Sequence, residues 1–266
     1  MGRSPSNPNN KPILPPVLTL AAVIAFVLLP FAPARANVIL SYDASTDQLP
    51  NDPPFRYVDT SSLYGSPDTP TISDGVATLG PTGGQGEAFW YTDQIVLPHV
   101  TGFDISADLR LDSESSSNPT DDSGLAIAFS DDRSLYQNLF INPTGVFFSQ
   151  LNATDTGIIP DTSFSLDTAQ WHDYSIQVLG DNVTLSVDGT QEISSTLFNL
   201  NATGQLVLPD YAALGDIVPG AQSQFDFNSF SVVVPEPSYA SAVLVAIAVV
   251  IAMRLRRPAH HAFMSM

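Results

Sequence analysis

Trp171-His172-Asp173-Tyr174-Ser175-Ile176-Gln177-Val178, then Gly180-Asp181-Asn182, then Val183-Thr184-Leu185-Ser186-Val187-Asp188-Gly189, is the stretch that decides the fold class. Tyr174, Ile176 and Val178 alternate with polar neighbours, and Val183, Leu185 and Val187 do the same on the return. A period of two places successive side chains on opposite faces, so each half is a strand with one buried and one wet face. Gly180-Asp181-Asn182 supplies the turn between them, and Asp188-Gly189 is the dipeptide favoured where the next tight turn needs left-handed backbone. The segment is therefore predicted to be an antiparallel hairpin.

The same pattern extends in both directions. Phe103, Ile105, Ala107, Leu109 and Leu111 alternate with Asp104, Ser106, Asp108 and Arg110. Further strands are predicted over 37–42, 75–79, 88–96, 124–130, 135–141, 146–151, 205–208 and 225–234, with Gly, Pro, Asn and Asp between them. About a dozen short strands without helical periodicity mean a sandwich or a barrel. Gly124-Leu125-Ala126-Ile127-Ala128-Phe129 is apolar on both faces, as befits a central strand covered by a second layer, and this favours the sandwich. The stretch 43–71 contains five prolines and reads as irregular loop over a sheet edge. No fixed-period repeat appears, which argues against propellers and solenoids.

Both ends of the chain carry a different logic. Arg3 and Lys11 precede an apolar run over 13–29, and Ala34-Arg35-Ala36 places small residues at a cleavage site, the three parts of a secretory signal cut after Ala36. Near the other end, Val234-Pro235-Glu236-Pro237-Ser238 is followed by an apolar stretch over 239–253 and then by Arg254, Arg256 and Arg257. Fifteen helical residues reach about 22 Å, short of the roughly 30 Å hydrocarbon core, and arginine stems can snorkel to make up the difference. Arginines directly after the stretch put that end in the cytoplasm and the body of the protein outside. The chain divides into a signal (1–36), one β domain (37–233), a sorting segment (234–257) and a short tail (258–266).

The domain contains no cysteine, which excludes disulfides and cysteine chemistry. Between Asn37 and Pro235 only Arg56, Arg110 and Arg133 oppose 26 acidic residues, a formal charge of −23. Such a surface excludes nucleic acid as a natural partner. It suits solubility in a salty exterior, and its preponderance of Asp over Glu also suits a hard oxygen-ligated cation such as Ca²⁺.

Two resemblances follow from these residues. The Val-Pro-Glu-Pro-Ser motif, short apolar helix and basic cluster together resemble the PEP-CTERM sorting signal. This implies export, inner-membrane anchoring of the precursor, processing by an exosortase, and a final place at the cell surface or in the extracellular matrix. The Trp171–Gly189 hairpin, with its opening "W-H" and closing "V-D-G", resembles the concanavalin A-like, or laminin G-like, jelly roll. The implied fold is all-β, a sandwich of two antiparallel sheets flanked by a signal helix and a C-terminal transmembrane helix. The same resemblance implies a structural Ca²⁺ where first and last strands meet, at Asp43 and Asp226.

Chemistry is harder to find. Laminarinase-type enzymes of that superfamily carry E-x-D-x-E or E-x-D-x-x-E on one strand, and no such motif occurs; Glu87, Glu114, Glu192 and Glu236 each stand alone. There is no G-x-S-x-G elbow, and only His99 and His172 lie in the domain as potential bases. The sequence therefore predicts a non-catalytic sandwich that binds polysaccharide or another surface component, with a divergent glycoside hydrolase or lyase, or a structural spacer, as the alternatives. A sugar site needs aromatic platforms beside polar groups, and Trp90, Tyr91 and Tyr136 are the candidates.

Overall fold

The computed structural model describes residues 36–50, 53–60, 69–80, 87–116, 124–151, 158–199, 207–217 and 221–235. Fifteen strands in two antiparallel sheets make up the described fold: β1 Ala36–Asp43, β2 Arg56–Asp59, β3 Thr71–Ser73, β4 Val76–Leu79, β5 Ala88–Thr92, β6 Phe103–Ser116, β7 Leu125–Ser130, β8 Tyr136–Asn142, β9 Gly145–Leu151, β10 Ile158–Ser165, β11 His172–Leu179, β12 Asn182–Val187, β13 Thr190–Thr196, β14 Tyr211–Asp216 and β15 Ala221–Pro235. Sheet A runs β13-β12-β11-β6-β15-β4-β3, with β1 also paired to β15, and sheet B runs β10-β9-β8-β7-β14-β5-β2. The all-β jelly-roll sandwich expected from the hairpin is the observed fold. No α-helix occurs among the described residues, and the expected signal and transmembrane helices lie outside them.

The deciding hairpin is β11–β12, in the register Tyr174↔Val187, Ile176↔Leu185 and Val178↔Val183. Its alternation is realised literally, since Tyr174, Ile176, Val178, Val183, Leu185 and Val187 are buried while Ser175, Gln177 and Leu179 are exposed. Asp188 and Gly189 both have positive φ, 51° and 79°, as the tight turn into β13 demands. His172 Nδ1 lies 2.8 Å from Asp188 Oδ2, and Asp188 Oδ1 accepts from the Asp173 amide, so the hairpin's far end is tied to its own base. These bonds to the charged form hold the Asp188 carboxyl below its ordinary range, the His172 hydrogen bond contributing most.

Phe103, Ile105, Ala107 and Leu109 of β6 meet Leu125, Ile127 and Phe129 of β7 across the inter-sheet core. Phe103 and Phe129 form an edge-on ring contact at 6.0 Å, and Trp90 reaches Phe227 at 5.2 Å. Each such fully buried large side chain contributes about 1.5–3 kcal/mol. The stretch 43–71, expected to be irregular, instead contains a 3₁₀ turn over Ala44–Thr46, the edge strand β2, and the first residue of β3. Tyr57 explains β2: it packs on Trp90 at 5.2 Å, which draws the segment onto the edge of sheet B. The strand expected at 205–208 is not found over Val207 and Leu208; the chain pairs four residues later, as β14.

Candidate functional site

The outer face of sheet B, away from the core, has an unusual composition. Strand pairing places side chains on it in three rows. One row is Val58, Phe89, Gly215, Ala126, Phe140 and Phe147; the next is Arg56, Tyr91, Ala213, Ala128 and Asn138; the last is Tyr211, Ser130 and Tyr136. In the first two rows the central strands, β7 and β14, contribute only small residues, while the flanking strands contribute the rings of Phe89, Tyr91, Phe140 and Phe147; in the third row β14 contributes Tyr211.

The result is a trough. Ala126, Ala128 and Ala213 on its floor are 0%, 2% and 1% exposed although they face away from the inter-sheet core, and Ala126 packs with the buried rings of Phe140 and Phe147 in a second, smaller apolar cluster. Phe89 and Tyr91 form one wall, with ring centroids 6.0 Å apart, and Tyr91 continues to Tyr211 at 5.8 Å. Phe140 stacked on Phe147 at 5.1 Å forms the other. Gly215 is required by the floor: a Cβ there would lie 2.5 Å from Phe89 Cα and 2.6 Å from the Ala88 carbonyl oxygen.

Polar groups converge on this apolar lining. Asn138 is 2% exposed, lies against the Tyr136 hydroxyl, and keeps Oδ1 without a hydrogen-bond partner. A buried acceptor left unpaired costs about 1–3 kcal/mol, which is the kind of cost a ligand hydroxyl relieves. Burial pushes the phenols of Tyr136 and Tyr211 well above the ordinary tyrosine value, and the negative charge of Glu87 raises both further. Both therefore stay protonated and can donate.

Glu87 immediately precedes β5 and continues its ladder, donating its amide to Thr60 Oγ1 at 2.8 Å and accepting from the Thr60 amide at 2.9 Å. It therefore shares the parity of Phe89 and Tyr91 and belongs to the trough side of the sheet. Its carboxyl is half-buried, and that burial alone raises its pKa.

Of the residues singled out from sequence, Tyr91 and Tyr136 share this face, while Trp90 points into the core against Tyr57 and Phe227 at 3% exposure. Asp43 and Asp226 are not gathered into a cluster. Asp43 caps the 3₁₀ turn by accepting from the Ser45 amide. Asp226 accepts from Arg110 Nε and Nη2 at 3.0 and 2.7 Å and from Thr78 Oγ1 at 2.6 Å. No group of three or more metal-ligating side chains occurs among the described residues.

Ala36, Val234 and Pro235 are strand residues, Ala36 pairing Pro235. Ala34, Glu236, Pro237, Ser238, Arg254, Arg256 and Arg257 lie outside the described residues. Sequence reasoning missed Glu87 as a site residue, together with Phe89, Asn138, Phe140 and Tyr211. The parity of Glu87-Ala88-Phe89-Trp90-Tyr91 was the available signal, since it puts Glu87, Phe89 and Tyr91 together and Trp90 on the other face.

No family model and no curated protein matches the chain. Solved structures do. A conserved carbohydrate esterase from the Shiga toxin-encoding bacteriophage phi24B is 16% identical, covering 76% of this chain and 100% of its own, with a TM-score of 0.56. A structure from work on endo-acting O-glycanases of human gut microbiota that initiate mucin breakdown is 10% identical over 74% of this chain and 99% of its own, TM-score 0.53. SCLam, a non-specific endo-β-1,3(4)-glucanase of family GH16, is 14% identical over 77% and 93%, TM-score 0.50. These matches correct the expectation of a chain without enzymatic activity. Named enzymes share its architecture, and a missing E-x-D-x-E motif does not exclude catalysis on this scaffold. The two antiparallel sheets are thus the concanavalin A-like jelly roll that these carbohydrate-active proteins share.

Proposed function

We propose that the chain is an exported carbohydrate-active protein that holds a polysaccharide along the trough of sheet B and cleaves it there, with Glu87 as proton donor. The carrying observation is the arrangement itself: a floor of Ala126, Ala128, Ala213 and Gly215 between aromatic walls, with a half-buried carboxyl at one side. Ring faces stack on the apolar faces of pyranoses, while Asn138 Oδ1 and the Tyr136 and Tyr211 hydroxyls suit sugar hydroxyls. Burial makes the Glu87 carboxyl hold its proton more tightly than a free glutamate, which suits donation to the glycosidic oxygen. The glycosidic C–O bond breaks, water adds to the anomeric carbon, and the proton that water loses returns to the Glu87 carboxylate. That a carbohydrate esterase and an endo-β-1,3(4)-glucanase share the fold supports carbohydrate as the substrate class.

The termini support an extracytoplasmic setting. The run over 13–29 with Ala34 and Ala36 suits signal cleavage, and Val234 to Ser238, the apolar 239–253 and Arg254, Arg256 and Arg257 suit exosortase processing of a membrane-anchored precursor.

The test is retention and turnover by the full chain on β-1,3-glucan, mixed-linkage β-glucan and mucin-type O-glycans. Tyr91→Ala should weaken binding about tenfold, the equivalent of about 1.4 kcal/mol, in a protein that still folds. Glu87→Gln should keep binding and stop release of new chain ends. Equal affinity of wild type and Tyr91→Ala for every glycan would sink the reading.

A further inference from the structure

Among the described residues the exposed large apolar side chains are Val38, Val96, Val100, Leu179 and Leu208, at 56%, 63%, 72%, 57% and 47% exposure. All five lie at one end of the sandwich. Val38 pairs with Val233 beside the Ala36↔Pro235 pair that closes the described chain. The loop after β5 holds Val96 and Val100; its His99 carbonyl accepts from the Gly180 amide next to Leu179, and its Leu97 carbonyl accepts from the Asp132 amide. The Leu97 amide donates to Asp210 Oδ1, and Ser130 Oγ donates to the Leu208 carbonyl, which brings Leu208 to the same end.

Between these elements opens a cleft of about 390 Å³ lined chiefly by Ile39, Ile95, Val96, Pro98, Val234 and Pro235. Scattered exposed apolar residues need no explanation, but their confinement to one end around an apolar cleft does.

We propose that this end of the sandwich is a membrane-docking surface, seated in the interfacial layer of a bilayer. The inference rests on the reading of 239–253 as a membrane anchor. Only Glu236, Pro237 and Ser238 separate Pro235 from that stretch, so even a fully extended link spans about 14 Å. Pro235 lines the cleft, so an anchor on so short a tether limits how far the cleft and its apolar rim can lie from the lipid. Apolar side chains enter the boundary between headgroups and acyl chains favourably.

The charge of the domain selects the lipid. A formal −23 over Asn37 to Pro235 is repelled by anionic headgroups, and Asp181, 69% exposed at this same end, adds to that, so the surface suits zwitterionic lipid. The opposite end of the same strands carries the polar turn Asp188-Gly189-Thr190, all exposed.

The absence of cysteine makes the test clean, because any introduced Cys is unique. The full chain bearing Val100→Cys, Leu179→Cys or, at the far end, Thr190→Cys is labelled with an environment-sensitive fluorophore and reconstituted into phosphatidylcholine vesicles, with and without lipid-borne quencher. The expected result is a blue shift and several-fold stronger quenching at 100 and 179 than at 190, with Val96→Glu weakening the quenching at 179. Flotation with the vesicles but equal quenching at all three positions overturns docking and leaves the anchor reading standing. Failure to float removes the anchor and the docking surface together. A blue shift at 100 and 179 that grows with protein concentration and ignores the quencher marks self-association and also overturns the proposal.

Discussion

Glu87 and His99 show how much a single ionisable side chain depends on what surrounds it. Burial raises the Glu87 pKa above the ordinary 4.5, so the folded protein holds this proton more tightly than the unfolded chain does. The stability this contributes is fully present below about pH 4.5 and is lost as pH rises through the folded-state value. Glu87→Gln should therefore match wild type in melting temperature at low pH and exceed it increasingly above that range; a gap that closes as pH rises would contradict the assignment.

His99 is 7% exposed, and its Nδ1 lies 2.6 Å from Oδ2 of Asp131, which is fully buried. The other oxygen of Asp131 accepts from the amides of Arg133 and Leu135, both at 2.9 Å. Removing His99 strands one carboxylate oxygen inside the protein, so His99→Ala should cost about 3 kcal/mol in urea unfolding. His99→Gln, which can still donate, should cost less. In sequence His99 stood only as a potential base without a visible partner, because Asp131 lies 32 positions away.

At the scale of elements, the strands read from sequence were those with a clean apolar face: β6, β11 and β12 above all. The ones missed are instructive. β13, β3, β10 and β2 are the outer strands in the two sheet orders, and their sequences, such as Thr190-Gln191-Glu192-Ile193-Ser194-Ser195-Thr196, are too polar to show alternation. An outer strand packs against one neighbour and needs less apolar surface.

β14 was missed for the opposite reason. Tyr211-Ala212-Ala213-Leu214-Gly215-Asp216 sits in the middle of sheet B, but Ala and Gly have poor strand propensity, and only contact with β5 and β7 rewards them. Gly215→Ala should cost about 1–3 kcal/mol through forced displacement of Phe89 and should weaken glycan retention at the same time. Unchanged stability and binding together would show that the floor has slack where the structure has none.

For the whole molecule, net charge adds an unfavourable term of its own. With −23 over the β domain, self-repulsion is least screened at low salt, where the Debye length is about 30 Å at 0.01 M against about 8 Å at 0.15 M. Raising sodium chloride over that interval should raise the melting temperature, and a fall would mean that local ion pairs such as Arg110 with Asp226 outweigh the general repulsion.

Sequence alone determined the all-β sandwich, the hairpin of β11 and β12, and the freedom from disulfides, because period-two alternation and turn chemistry are local properties that a short window contains. Tertiary structure alone decided which side of β5 faces the core, that Tyr136, Asn138 and Tyr211 join Glu87 and Tyr91 on the other side, and that the exposed valines and leucines gather at one end. Those facts depend on which strands become neighbours across the sheets, and pairing between residues more than a hundred positions apart, as between Tyr91 and Ala213, leaves no mark in any single stretch of chain.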